Sequence, residues 1–265
     1  MKTGVVSDIH GNLPALQAVV ADGDAQGVQR WLNLGDIVSG PLWPAETADW
    51  LLARGWPAIA GNHERQVLGP ARERMSATDR HTAERLAPRH RDWLAALPKA
   101  MDAAPGLHCV HGTPDSDLVY LLETVTPEGL RAAGDDEVAA RLQALPAAAA
   151  GAPLTLLLCG HTHLPRDRLL RGRGPGGLRI VNPGSVGLPA YDDEHPHPHV
   201  VENGTPHARY AVIEPAGSGW RVDLRAVAYD WKAAARRAES HGRGDWADAL
   251  RSGRVGRRER DVVLS

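Results

Sequence analysis

The chain has 265 residues, 43% of them hydrophobic, and a formal net charge of −2. No apolar stretch is long enough to cross a bilayer, which excludes a membrane-spanning helix, and the near-neutral charge argues against a nucleic-acid-binding protein. The length allows one domain with a sizeable core, and the lack of a charged-then-apolar leader before the first strand predicts a cytoplasmic protein.

In chain order, the apolar run at 3–6 predicts a strand that ends at Asp8-Ile9-His10. Asn12 can cap a helix over about 13–22, with Pro14 in the first turn, where a missing N–H costs nothing. A second strand at 31–34 ends at Gly35-Asp36, and a helix is expected over 44–54. A third strand at 57–60 ends at Asn62-His63-Glu64. The polar stretch 76–97 reads as one or two helices, with Trp93, Leu94 and Leu97 as a buried stripe. A fourth strand, 107–110, contains His108 as a core or strand-face residue and ends at His111-Gly112. The segment 126–145 reads as a helix capped by Thr126, with Pro127 at its first position. An alanine-rich connection at 147–151 then enters a central strand, 154–159, which ends at His161-Thr162-His163. Strands over about 166–170, 178–182, 208–214 and 220–228 follow, then a helical segment over 231–250. Cys109 and Cys159 lie in predicted strands and read as small buried residues, a disulfide being unexpected in the cytosol.

Short apolar runs bounded by Gly or Pro are buried strands, and groups just past the carboxyl ends of strands line a common crevice. Five strand ends therefore deliver Asp8, His10, Asp36, Asn62, His111, His161 and His163 to one place. Alone, a His-x-His pair reads as a surface turn, and Asp after a strand as a turn residue; together and in this order the clusters describe a metal centre. Imidazole and carboxylate without thiolate suit manganese, iron, nickel or zinc. Two divalent ions about 3.5–4 Å apart can clamp the attacking and leaving oxygens of a displacement at phosphorus.

With these motifs, and with Asn12-Leu13-Pro14, His111-Gly112-Thr113-Pro114, Gly160 to Pro165 and Asn182 to Pro189 in the same order, the chain resembles the calcineurin-like metallophosphoesterases. The likeness is to the small prokaryotic phosphodiesterase branch. It implies an α/β fold of four αββα layers, two mixed sheets flanked by helices. One domain, 1–265, is expected, with a core over about 1–229 and a C-terminal helical extension over about 230–265. It further implies that Asp8, His10, Asp36 and His163 hold one metal and Asp36, Asn62, His111 and His161 the other, with Asp36 bridging. Of the two divalent ions, manganese is the first expectation, with iron, nickel and zinc as alternatives. A hydroxide bridging the two ions would be the nucleophile, so what remains for a side chain is acid catalysis. His63 matches the family's non-ligand histidine, which protonates the leaving oxygen or stabilises charge on the transferring phosphoryl group; with Asn62 it would also contact the substrate.

The serine/threonine phosphatases of this superfamily follow the bridging Asp with an Asp that orients the catalytic His and an Arg that binds a phosphomonoester dianion. Here Ser39 and Gly40 stand in those places. Their presence favours a phosphodiesterase acting on nucleotide-like or other small diesters, and leaves Glu64 or a backbone carbonyl to orient His63. A phosphomonoesterase, a protein phosphatase or a dinucleoside polyphosphate hydrolase is the alternative. A non-catalytic scaffold of the same fold is disfavoured by retention of every ligand. The expected partner is a small phosphoester, with no membrane and no nucleic acid; homo-oligomerisation stays open. The only basic cluster, 254–260, contains a Glu and reads as a solvated tail. The His- and Pro-rich stretch 191–199 lengthens a connection that is short in relatives; it reads as a polar surface loop, with a substrate-selecting lid or weak extra metal affinity as the functional reading.

Overall fold

The computed structural model describes residues 1–69, 71–172, 176–217 and 219–258. β1 (Thr3–Val6) leads through α1 (Leu13–Ala25) to β2 (Arg30–Asn33). Four helices follow: α2 (Pro44–Leu52), α3 (Asn62–Leu68), α4 (Ala77–Ala83) and α5 (Pro88–Ala95). β3 (Ala100–Ala104) and β4 (Leu107–Val110) precede a hairpin of β5 (Glu123–Thr126) and β6 (Gly129–Ala132), then α6 (Asp135–Arg141). A minimal hairpin, β7 (Ala148–Ala149) and β8 (Ala152–Pro153), enters β9 (Leu156–Leu158). β10 (Arg166–Leu170) and β11 (Leu178–Asn182) are followed by the hairpin β12 (Ala190–Asp193) and β13 (His199–Glu202). The long strands β14 (Ala208–Ala216) and β15 (Gly219–Val227) then lead to α7 (Trp231–Ser240) and α8 (Gly244–Ser252).

Two mixed sheets result, ordered β15-β14-β1-β2 and β10-β11-β9-β4-β3. Because side chains alternate along a strand, each strand feeds two cores. Val5, Leu32, Leu156 and Leu158 meet Cys109, Val181 and Ile213 between the sheets. Val6 and Trp31 face outward onto Leu16, Val19 and Leu94 of the helices over the first sheet, and Leu157 and Ile180 face Val138 and Leu142 on the outside of the second. These are the four expected layers, although the outer layer on the second sheet combines the short α6 with the β5–β6 hairpin. Leu158 is fully buried between the sheets, so Leu158→Ala would cost about 2–5 kcal/mol.

Several expected elements differ. At 57–60 only one bridge forms, Asn33 with Ala58, because Pro57 has no N–H to donate and Ala60 turns away to bond the carbonyl of Pro98. The helix expected over 126–145 is instead β5–β6 and then α6. Thr126 serves a turn rather than a cap: its hydroxyl accepts from Glu128 N and donates to the Gly129 carbonyl. Gly129 takes φ of 118°, a value closed to helical residues. The helix begins only at Asp135, where the Glu137 carboxylate accepts from Gly134 N at 2.6 Å. The 231–250 segment splits at Gly242, φ 73°, where His241 Nδ1 bonds the Pro41 carbonyl. The alanine-rich connection closes as β7–β8, and the 76–97 stretch forms α4 and α5, with Leu94 buried and Trp93 and Leu97 packed beside it. His108 sits on a strand face, bonded to Asp102. The C-terminal arginines are not merely solvated, since Arg254 pairs with Glu202 and Arg257 with Asp248; residues 259–260 lie outside the described ones. No helix among the described residues is long and apolar enough to cross a membrane.

Candidate metal centre

Except for Asn62, the first residue of α3, each expected ligand lies on the chain just past a strand. Among the described residues, six non-glycine residues have positive φ, and five of them are Asp8, His10, Asp36, His161 and His163, at 51–68°. Such left-handed backbone is unfavourable for these side chains and persists only where the surroundings hold it. Backbone bonds do so here: Asp8 N donates to the Gly35 carbonyl, His10 N to Asp36 and Gly11 N to Ile37. The buried carboxylate of Glu64 accepts from Asp36 N, Ile37 N and Gly61 N, each at 2.8 Å, tying the second ligand turn to the start of α3. Gly61 and Gly160 leave room that a Cβ would fill, against the Asp36 carboxylate and the Ser7 hydroxyl respectively.

The turns assemble two clusters, Asp8 with His10 and His163, and Asp36 with His111 and His161. Within each, candidate ligand atoms lie within 4.8 Å of one another. The Asn62 amide oxygen joins the second, 3.1 Å from His111 Nε2. Backbone carbonyls assign the tautomers. Nδ1 of His10 donates to Ser39, that of His163 to Leu188 and that of His111 to Leu34, whereas in His161 it is Nε2 that bonds a carbonyl, that of Leu118. The Nε2 lone pairs of His10 and His163 are then left facing each other at 3.1 Å. His111 Nε2 lies 3.1 Å from Asp36 Oδ2 and, without metal, donates to it. Asp8 Oδ1 is buried with no hydrogen-bond partner. Lone pairs converging on an orphaned carboxylate oxygen are what a bound cation satisfies, so the donor set fits divalent metals of the imidazole-preferring type.

The protein's own charges divide the histidines. Burial and the neighbouring His163 push His10 down to about 3, and burial and His111 push His161 down to about 4. Against the opposing effect of burial, Asp36 raises His111 to about 10, and Asp36 with Asp79 raises His63 to about 9.

His63 lies on the first turn of α3, its side chain 25% exposed and its ring edge-on to His10 at 5.3 Å. Neither Glu64 nor a carbonyl orients it, contrary to expectation. Its Nδ1 bonds Asp79 Oδ1 of α4 at 2.8 Å, while Glu64 is occupied by the three backbone amides. Asp79 was not legible as a site residue; its only sequence signal, Ser76 three residues before it, is that of a helix start. Three aromatic residues also close on the centre unannounced. Tyr191 packs edge-on against His163 at 4.7 Å, Tyr120 against His161 at 5.0 Å, and Trp246 of α8 against His10 at 5.8 Å. Tyr191 belongs to the stretch read as a loop, which forms the β12–β13 hairpin. Its hydroxyl is 2.7 Å from that of Tyr120, which in turn bonds His199 Nε2 at 3.0 Å. Neither metal-ligand cluster among the described residues includes His195, His197 or His199. Cys109 and Cys159 are free and buried, and burial pushes both thiols up.

An uncharacterised protein of Methanocaldococcus jannaschii is 40% identical over 65 residues, which span 24% of this chain and 27% of that protein. The match thus covers about a quarter of the curated relative's length. A metallophosphoesterase structure from Sphaerobacter thermophilus superposes with a TM-score of 0.73 at 25% identity, over 96% of this chain and 99% of that one. A hypothetical protein of Pyrococcus horikoshii gives a TM-score of 0.70 at 20% identity, over 95% and 98%. The family described as "Calcineurin-like phosphoesterase superfamily domain" matches residues 1–202, and with both metal-ligand clusters falling inside that span, the chain belongs to the calcineurin-like phosphoesterase superfamily.

Proposed function

We propose that this protein is a metal-dependent phosphodiesterase that hydrolyses nucleotide-like or other small phosphodiesters at a binuclear centre. The observation that carries the reading is the pair of ligand clusters, in each of which imidazole nitrogens and a carboxylate oxygen lie within 4.8 Å of one another. One ion would be held by Asp8, His10, Asp36 and His163 and the other by Asp36, Asn62, His111 and His161, manganese being the first candidate and iron, nickel or zinc the alternatives. When bound, such a pair supplies the nucleophile and neutralises charge developing at phosphorus.

The chain's own residues have the remaining work. Asp36 Oδ1 accepts from the His63 backbone N–H at 2.9 Å, fixing the start of α3 beside the clusters. Asn62 and His63 would contact the phosphoryl group, and His63, held at Nδ1 by Asp79, would give a proton to the leaving oxygen. Position 40 supports the preference for diesters. A Cβ on Gly40 would strike the His10 carbonyl and lie 3.0 Å from Trp246 Cη2. An indole thus fills the ground that an Arg for a phosphomonoester dianion would need. A cytoplasmic setting suits the two free cysteines.

The test is hydrolysis of bis(p-nitrophenyl) phosphate and p-nitrophenyl phosphate by chelator-stripped protein with each metal restored. Metal-restored activity favouring the diester is expected. A monoester preference would refute the diester reading, and silence with every metal would refute the enzyme.

A further inference from the structure

We propose that Asp79 is the positioning residue for His63, and that it owes part of its place to the C-terminal helices, so the extension beyond about residue 230 forms part of the catalytic apparatus. The inference rests on the phosphodiesterase reading and on the acid role of His63.

Asp79 is 3% exposed, and both carboxylate oxygens are engaged. Oδ1 accepts from His63 Nδ1 at 2.8 Å and from the Ser39 hydroxyl at 2.7 Å; Oδ2 accepts from the Ser76 hydroxyl at 2.8 Å. A carboxylate on Nδ1 fixes the ring's tautomer and orientation and leaves Nε2 to carry the transferable proton. Ser39 occupies the position where the phosphatases carry their orienting Asp. Here that position supplies a hydroxyl that steers a carboxylate arriving from a helix about forty residues later.

A carboxylate on a separate helix is only as well placed as the helix. α4 has seven residues, too few to be stable alone; Ala83 packs it into the core over the first sheet, and polar contacts hold both of its ends. Thr82 Oγ1 accepts from Gly40 N at 3.0 Å, tying the end of α4 to the ligand turn. At its start, Thr78 Oγ1 accepts from Arg243 Nη1 at 2.5 Å. Arg243 is itself buried, and its other nitrogens hold Asp245 at 2.6 and 3.0 Å. The chain from Arg243 through Thr78 and Asp79 to His63 is continuous, and each link is buried or half-buried.

The experiment compares D79N, D79S, the exchange S39D/D79S, T78V, H63A and H63A/D79N in the full-length, metal-loaded protein. Metal content, melting temperature, KM and kcat are measured over diesters with leaving groups of rising basicity. D79N should lower kcat about 10- to 100-fold with KM and metal content unchanged, the loss growing with leaving-group basicity. It should have no further effect in the H63A background. S39D/D79S should regain part of what D79S loses, and T78V should show a weaker form of the D79N pattern. Unchanged kcat in D79N alongside a slow H63A would overturn the positioning role, as would losses that add in H63A/D79N. Wild-type kcat in T78V would overturn the role of the C-terminal helices. Full activity in H63A with poor leaving groups would remove the acid that Asp79 serves and overturn the proposal, while leaving the metal reading intact. A wild-type protein inert toward every ester with every metal would overturn that reading and the proposal with it.

Discussion

The two ligand clusters differ in how they meet solvent. Asp8, His10 and His163 are all buried, with Trp246 against His10 and Tyr191 against His163. Asp36 and His111 are buried too, but their third partner, His161, is half-buried, and it bonds the carbonyl of Leu118, whose side chain is 53% exposed. His63 and the exposed ion pair of Arg65 with Asp117 flank the same side. The closed cluster is built like a core and the open one like a doorway, so substrate should approach over Asn62 and His63 and the ion held there should exchange first.

The largest effect should come from Asp36, the proposed bridging ligand. Asp36→Asn is expected to lower turnover about a thousandfold or more, with both ions lost; an Asp36→Asn protein that binds two ions and turns over normally would dissolve the pairing. His10→Ala and His161→Ala separate the halves. The first should abolish binding at the closed cluster irrespective of metal concentration, while the second should lower activity about 10- to 100-fold and be restored by excess metal. Equal responses to added metal would remove the distinction. The walls should differ in the same sense: Trp246→Ala opens a cavity beside His10 and should cost about 3–5 kcal/mol of stability, whereas Leu118→Ala, at an exposed site, should change it by less than about 0.5 kcal/mol. Thermal melts decide this.

The smallest expected effect is on the pH dependence of the metal-free protein. His63 and His111 are raised from 6.5 to about 9 and about 10. The stability they contribute is complete below pH 6.5 and is lost as pH rises through those values. His10 and His161 are depressed to about 3 and about 4. Below pH 6.5 the unfolded chain binds protons that these two refuse, so stability falls again. Chelator-treated protein should therefore melt highest near pH 6.5, with saturating manganese flattening the profile; a maximum that stays in place when metal is added would contradict this.

The candidate ligands were legible because all but Asn62 follow apolar runs that form buried strands, and because Asp, His and Asn in that order have one chemistry in common. What surrounds them was not, since it comes from segments without motifs. Asp79 carries only the signature of a helix start, and nothing in the sequence near Ser39 shows that its hydroxyl meets a carboxylate from α4. Trp246 reaches His10 only because Gly40 leaves it room. The misread at 126–145 has a local cause: Thr126-Pro127 imitates a capped helix start, but the β-branched Thr124, Val125 and Thr126 favour a strand and Gly129 turns it back. The loop at 191–199 was read from its histidines and prolines, which occupy the hairpin's tip and far strand, whereas Tyr191 at its base touches the centre.

The most direct measurement is anomalous diffraction from crystals soaked in manganese. Two peaks about 3.5–4 Å apart are expected, one among Asp8, His10 and His163 and one among Asp36, Asn62, His111 and His161, with Asp36 between them. A single peak, or peaks away from these residues in catalytically active protein, would contradict the binuclear centre.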